Sequence, residues 1–212
     1  RHARAWNRVT INGTGSQVRW ATFEYADIAF DVKKDVTIED STIRGCRGGI
    51  SVGGSSAAPI LTRVTVRDNT EDGLAVTSGT VNATASLFEG NGGRGLYVNG
   101  GTLNLSDSTV SENGASGIEY LRSGSGLVTH NLITDNAYEG VRVWTDGSTD
   151  PTPVINYNNI IGNSTAGALV VKDVNISTST DAGYYGTSVS QAWTNPGGTE
   201  IVRVYMTYSE VD

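Results

Sequence analysis

One phrase recurs along this chain: an aliphatic residue, a polar pair ending in Asn, a short gap, a Gly, and two apolar residues one position apart. Its clearest copies run Val66-Arg67-Asp68-Asn69 to Gly73-Leu74-Ala75-Val76, Phe88-Glu89-Gly90-Asn91 to Gly95-Leu96-Tyr97-Val98, and Val110-Ser111-Glu112-Asn113 to Gly117-Ile118-Glu119-Tyr120. An earlier copy, Ile43-Arg44-Gly45-Cys46 to Gly49-Ile50-Ser51-Val52, carries Cys where Asn is due. Two later ones are Ile133-Thr134-Asp135-Asn136 to Gly140-Val141-Arg142-Val143 and Ile160-Ile161-Gly162-Asn163 to Gly167-Ala168-Leu169-Val170. Gly73, Gly95, Gly117, Gly140 and Gly167 are thus 22, 22, 23 and 27 residues apart. A period of that length belongs to solenoids; it is too short for a propeller blade and has no helical spacing.

Apolar residues alternate within each copy, as in Leu74/Val76 and Leu96/Val98, so the elements are strands with one buried and one solvated face, two or three per coil. A single coil cannot bury its inward side chains alone; stacking about seven coils at ~4.8 Å gives a rod on the order of 30 to 35 Å long. The core is then a set of vertical columns. One is expected to run Ile43, Val66, Phe88, Val110, Ile133, Ile160; another Ile50, Leu74, Leu96, Ile118, Val141, Ala168; a third Val52, Val76, Val98, Tyr120, Val143, Val170. Asn69, Asn91, Asn113, Asn136 and Asn163 form a fourth column, which is read as structural. An inward corner leaves backbone groups without ladder partners, and stacked amides can satisfy those groups and one another. Cys46 is read as a small buried filler at the end of that series.

Composition agrees with this reading and removes several functions. Gly is abundant at 27, Pro scarce at 4, and charged residues only 17%, a balance that favours turns and strands. The net charge of -7, without a basic stripe, argues against a nucleic-acid partner. No apolar run reaches the roughly 18 to 20 residues of a membrane span. The one cysteine forms no internal disulfide, and no Cys/His cluster suggests a structural zinc.

The repeated phrase resembles that of right-handed parallel β-helix proteins of the pectate-lyase-like superfamily. The resemblance is clear over 36–171, with Val18-Arg19-Trp20 to Ile28-Ala29-Phe30 as a shorter earlier coil and Val9-Thr10-Ile11 as the last strand of a truncated one. It implies an all-β chain: a right-handed parallel β-helix over 1–172 and a C-terminal capping segment over 173–212. In the latter, Asp181-Ala182-Gly183-Tyr184-Tyr185-Gly186-Thr187 is similar to the aromatic-aromatic-Gly-Thr tail that ends many such arrays, with Tyr for Trp. A strand is expected at 201–208, with Trp193 packing nearby. The resemblance is specific for fold and nearly silent on activity, since the superfamily includes lyases, hydrolases, epimerases, adhesins and tailspikes. The chain opens on Arg1 and soon enters strand-like sequence, which suggests part of a longer polypeptide.

Three outward columns are candidate sites. The position three before the first aliphatic anchor reads Asp40, Arg63, Ala85, Asp107, His130, Tyr157. Asp107, His130 and Tyr157 could serve as orienter, general base and acid in an elimination or hydrolysis, or could be polar residues that any corner tolerates. A second column, Gly45, Asp68, Gly90, Glu112, Asp135, Gly162, puts Glu112 beside Asp135, where a Ca²⁺ could bridge two carboxylates that otherwise repel. A third holds Tyr97, Glu119 and Arg142, with Trp144 and Tyr138 nearby; aromatic faces with charged flanks suit sugar rings, and a cross-strand ion pair is the plain alternative. The 145–153 loop is the longest departure from the period and borders Trp144.

The polygalacturonase-type motifs are missing, as is the Asp-Pro-His of the alginate epimerases. The sequence therefore leads to a non-catalytic structural or adhesive β-helix module of a secreted or cell-surface protein, with carbohydrate as its ligand. The alternative is a polysaccharide lyase or glycoside hydrolase acting on an extended glycan along one face of the helix. No cofactor is expected beyond calcium.

Overall fold

The computed structural model describes residues 5–144, 149 and 151–164, together with the strand backbone of 168–171, 193–194 and 200–204. Each rung gives one strand to each of three sheets. The first rung comprises Val9–Ile11, Ser16–Arg19 and Thr22–Glu24, and the seventh Val141–Trp144, Thr152–Asn156 and Asn159–Ile161. Seven rungs, hence about six full turns, stack in parallel, and no helix occurs among the described residues. Three strands per rung settle the sequence expectation of two or three.

The first sheet runs on past the seventh rung. Ala168–Val171 pairs parallel with Val141–Trp144; Glu200–Val204 then pairs antiparallel with Ala168–Val171 and carries the short strand Trp193–Thr194. The strand expected at 201–208 thus exists as Glu200–Val204 and occupies the edge that the last parallel strand would otherwise leave open. The Tyr184-Tyr185-Gly186-Thr187 tail and the packing of Trp193 lie outside the described residues.

Matching positions of successive copies are vertical neighbours. In the third sheet Ile43 pairs with Val66, Val66 with Phe88, Phe88 with Val110, Val110 with Ile133, and Ile133 with Ile160, every one buried. The first sheet aligns Ile50, Leu74, Leu96, Ile118 and Val141 in one buried column, and Val52, Val76, Val98, Tyr120 and Val143 in the next. The second sheet adds a column unmarked by the repeated phrase: Ile38, Leu61, Ala83, Leu105, Val128 and Ile155. Burial of these branched side chains, at about 25 cal/mol per Å² of apolar surface, is the main stabilising term. Tyr120 stands out among its Val neighbours because its buried hydroxyl has no hydrogen-bond partner. Burial pushes this phenol far above its ordinary range, so it stays protonated.

The corners explain the polar columns. Between the second and third sheets the chain turns at one residue with positive φ in every rung: Trp20, Asp40, Arg63, Ala85, Asp107, His130 and Tyr157, with φ from 47 to 56°. After the third sheet it turns again at Tyr25, Gly45, Asp68, Gly90, Glu112, Asp135 and Gly162, with φ from 54 to 68°. Left-handed backbone is met most cheaply by Gly and tolerated by Asp, which accounts for the three Gly and two Asp of the second series.

Directly after most corners, a polar side chain turns inward. Asn113 Oδ1 accepts from the backbone N–H and from Nδ2 of Asn91, both at 3.0 Å, while Asn113 Nδ2 donates to the Phe88 carbonyl. Asn69, Asn136 and Asn163 continue the same ladder. At its N-terminal end Cys46 accepts from the Ala26 N–H at 3.4 Å and donates to the Arg44 carbonyl, so it stands in for the missing amide as well as filling space. The repeated Gly belongs to this ladder too. A Cβ on Gly95 would come within 2.8 Å of Asn113 Nδ2 and 2.6 Å of Val110 Cγ1.

Candidate functional site

Asp107, His130 and Tyr157 lie on the corner between the second and third sheets, in consecutive rungs as their spacing predicts. The His130 and Tyr157 rings stack, with centroids 5.4 Å apart and planes 13° from parallel, and His130 Nδ1 meets Thr129 Oγ1 at 2.9 Å. Asp107 and His130 are exposed and Tyr157 is half-buried. The three therefore decorate a ridge whose backbone conformation is shared by all seven rungs. Two rungs further toward the N-terminus the same ridge holds a plain ion pair, Asp40 to Arg63, at 2.6 and 2.8 Å.

Glu112 and Asp135 occupy neighbouring positions on the other corner, both exposed. Asp135 Oδ2 accepts from the Thr134 hydroxyl at 2.9 Å. Calcium takes roughly six to eight oxygens. No group of three or more His, Cys, Asp or Glu gathers to hold a metal among the described residues, so the donor set is a pair of carboxylates with little beside it.

The outer face of the first sheet is built differently. Tyr97, Glu119 and Arg142 are in register on three consecutive strands, as expected. Glu119 points outward yet is only 3% exposed, because neighbouring side chains close over it. Arg94 Nη2 reaches its Oε1 at 3.1 Å and Arg142 Nη1 its Oε2 at 3.8 Å. The Arg94 guanidinium also lies 4.1 Å from the centre of the Tyr97 ring, and that of Arg142 lies 5.2 Å from the Trp144 ring. Asp72 anchors Arg94 from the preceding rung, taking its backbone N–H at 2.8 Å and its Nη1 at 3.3 Å. Beside this network Glu139, 6% exposed, accepts from the Ser116 hydroxyl at 2.8 Å. Tyr138 is exposed in the adjoining turn.

The electrostatics follow from burial and pairing. Burial opposes the charge on Arg94, but its bond to Glu119 and the fields of Glu119 and Asp72 outweigh that and hold its pKa above the ordinary value. Burial pushes the Tyr97 phenol up, and Arg94 offsets only part of the rise. Tyr97 is thus a neutral aromatic and a hydrogen-bond donor near neutral pH, not a base. Two N–H groups of the network, Arg142 Nε and Trp144 Nε1, are buried without a hydrogen-bond partner.

Arg94, Asp72, Ser116 and Glu139 were not among the residues the sequence marked. They precede the repeated Gly, at Asp72-Gly73, Arg94-Gly95, Ser116-Gly117 and Glu139-Gly140, and reading that column would have found them.

Comparison with known proteins bears on this scaffold. Curated proteins yield no match. Among solved structures, the Azotobacter vinelandii mannuronan C-5 epimerase AlgE4 A-module superposes with a TM-score of 0.54 at 17% identity, over 79% of this chain and 53% of that one. The present chain therefore spans about half the length of that module, and the likeness is one of fold. The family model described as a right-handed β-helix region matches residues 7–181, which include the entire stack of rungs, and the chain belongs to that family.

Proposed function

We propose that the chain is a non-catalytic β-helix module of a secreted or cell-surface protein, and that it binds carbohydrate on the outer face of its first sheet. The observation that carries this reading is the pair of buried, unpartnered N–H donors on Arg142 and Trp144, with the Arg142 guanidinium beside the Trp144 ring and in ion-pair range of Glu119. An unsatisfied buried donor costs about 1–3 kcal/mol, and the ring oxygens and hydroxyls of a sugar are acceptors that would remove that cost once the Arg142 and Trp144 side chains shift to meet them. Arg94 and Arg142 lie beside the Tyr97 and Trp144 rings, and aromatic rings flanked by charge suit sugar rings. The named epimerase module acts on a polysaccharide, which is consistent with a glycan partner for a rod of this fold.

The second reading, a lyase or hydrolase, draws on the stacked His130 and Tyr157 beside Asp107. One experiment separates the two. Isothermal titration against a panel of neutral and uronate oligosaccharides should show binding that Trp144→Ala weakens at least tenfold, with no product released over long incubation. Product formation by the wild-type chain that His130→Ala abolishes would replace the module by the enzyme. Absence of binding to every glycan would leave a pure scaffold.

A further inference from the structure

The outer face of the third sheet holds a feature that the glycan reading does not use. Its last outward column reads Glu24, Arg44, Arg67, Glu89 over four consecutive strands, so two guanidiniums are strand neighbours with no acid between them. Like charges placed directly opposite in a sheet repel. Arg44 is partly neutralised by Glu24, Nε to Oε1 at 2.6 Å. Arg67 has a looser partner, Asp68 at 3.5 Å, itself 61% exposed on the corner. Alongside runs a column of hydroxyls, Thr22, Thr42 and Thr65, and the two columns, with Leu87, line a shallow, open hollow of about 430 Å³.

We infer that this hollow binds a sulfate ester carried on a glycan, with Arg44 and Arg67 bridged by the sulfate and Thr42 and Thr65 donating to it. Charge complementarity argues for an anion. The donor set selects among anions: two guanidiniums and two hydroxyls from adjacent rungs match the three free oxygens of a tetrahedral group better than the two of a carboxylate. A sulfate ester carries one negative charge. A phosphate monoester approaches two near neutral pH and is disfavoured by Glu24 and Glu89 at the ends of the column and by the net charge of -7. The hollow is open, so a single free ion would be held weakly. A polymer that presents many sulfates raises the local concentration.

The test uses the whole chain with dextran sulfate and carboxymethyl dextran of matched charge density, in low and moderate salt. Dextran sulfate should bind at least tenfold more tightly than carboxymethyl dextran, and binding should fall with salt as screening predicts. The double variant Arg44→Gln/Arg67→Gln should lose at least tenfold in affinity with its melting transition retained, and Thr65→Val should lose a smaller factor. Lys34→Gln, which removes a cation outside the hollow, should leave sulfate binding unchanged, so that the loss is tied to the two arginines and not to net charge. Equal binding of the two dextrans, indifference to the arginine substitutions, or no binding at low salt would each overturn the inference. If the double variant unfolds, the Thr65→Val series and the ratio between the dextrans decide in the same way.

Discussion

Each rung turns two corners of the same kind, and their inward residues differ. At the corner after the third sheet the ladder is amide from Asn69 to Asn163, whereas at the corner before it the inward residues are Ser41, Val64, Ser86, Ser108, Asn131 and Asn158. The constant demand is an acceptor for a backbone N–H of the preceding rung. Ser86 Oγ meets it for Val64 at 3.1 Å, Ser108 Oγ for Ser86 at 3.0 Å, and Asn131 Oδ1 for Ser108 at 2.9 Å. A hydroxyl is enough for that. The amide additionally binds the amides of both neighbouring rungs and a strand carbonyl, so Asn113 makes four side-chain bonds where Ser86 makes two. Val64 offers no acceptor, and Ser86 still serves its N–H, so one gap leaves the other rungs intact.

The strongest way to break this comparison is Asn113→Ala. It orphans two buried donors on Asn91 and the Phe88 carbonyl and opens a small cavity, so a loss of about 3–4 kcal/mol in chemical unfolding is expected. Ser108→Ala orphans one buried N–H, that of Ser86, and should cost about 1–2 kcal/mol. If the two losses came out equal, the extra amide contacts would contribute nothing. At the turning residues the sign reverses. Ala85 sits at φ 50° with an exposed side chain, so Ala85→Gly should relieve left-handed strain and, after the entropy of Gly is subtracted, stabilise by roughly 1 kcal/mol, about 2–4 °C in Tm.

The smallest effect belongs to the corner ion pair. The hydrogen bond from Arg63, aided by its charge, holds Asp40 below its ordinary value of 3.8. A carboxyl lowered on folding adds stability above its unfolded pKa and loses it as pH falls through the folded one. Arg63→Gln should therefore move the Asp40 titration up toward 3.8 by NMR and remove a small increment of stability at neutral pH, a difference that closes as the pH falls below the wild-type Asp40 titration.

These corners also show which parts of the sequence could be read. The inward columns were legible because the same residue class recurs at a fixed interval: aliphatics for packing, Asn for the backbone acceptor. The Ser/Asn ladder was not, since Ser41, Ser86, Ser108 and Asn131 share a role without sharing one side chain, and Val64 interrupts them. Among the outward candidates, Gly45, Gly90 and Gly162 alternating with Asp68, Glu112 and Asp135 carried a backbone signal, positive φ, that lay hidden under the adjacent carboxylates. The Asp107, His130 and Tyr157 series stands on the same kind of turn. Tyr97, Glu119 and Arg142 lie on a sheet face that makes no such backbone demand. Their grouping was visible from register alone, while Arg94 and the depth of Glu119 depend on side chains from neighbouring rungs closing together, which spacing does not encode.

The asparagine series is also a one-way arrangement. Every amide oxygen serves the rung made before it during synthesis, so each new winding completes its predecessor and leaves its own donors waiting for the next. Trimming the rod from its amino end would discard customers and leave spare acceptors that water can wet. Trimming from the carboxyl end would strip a supplier and strand an N–H pair in the interior, so shortened forms of this rod should tolerate loss at the two ends unequally.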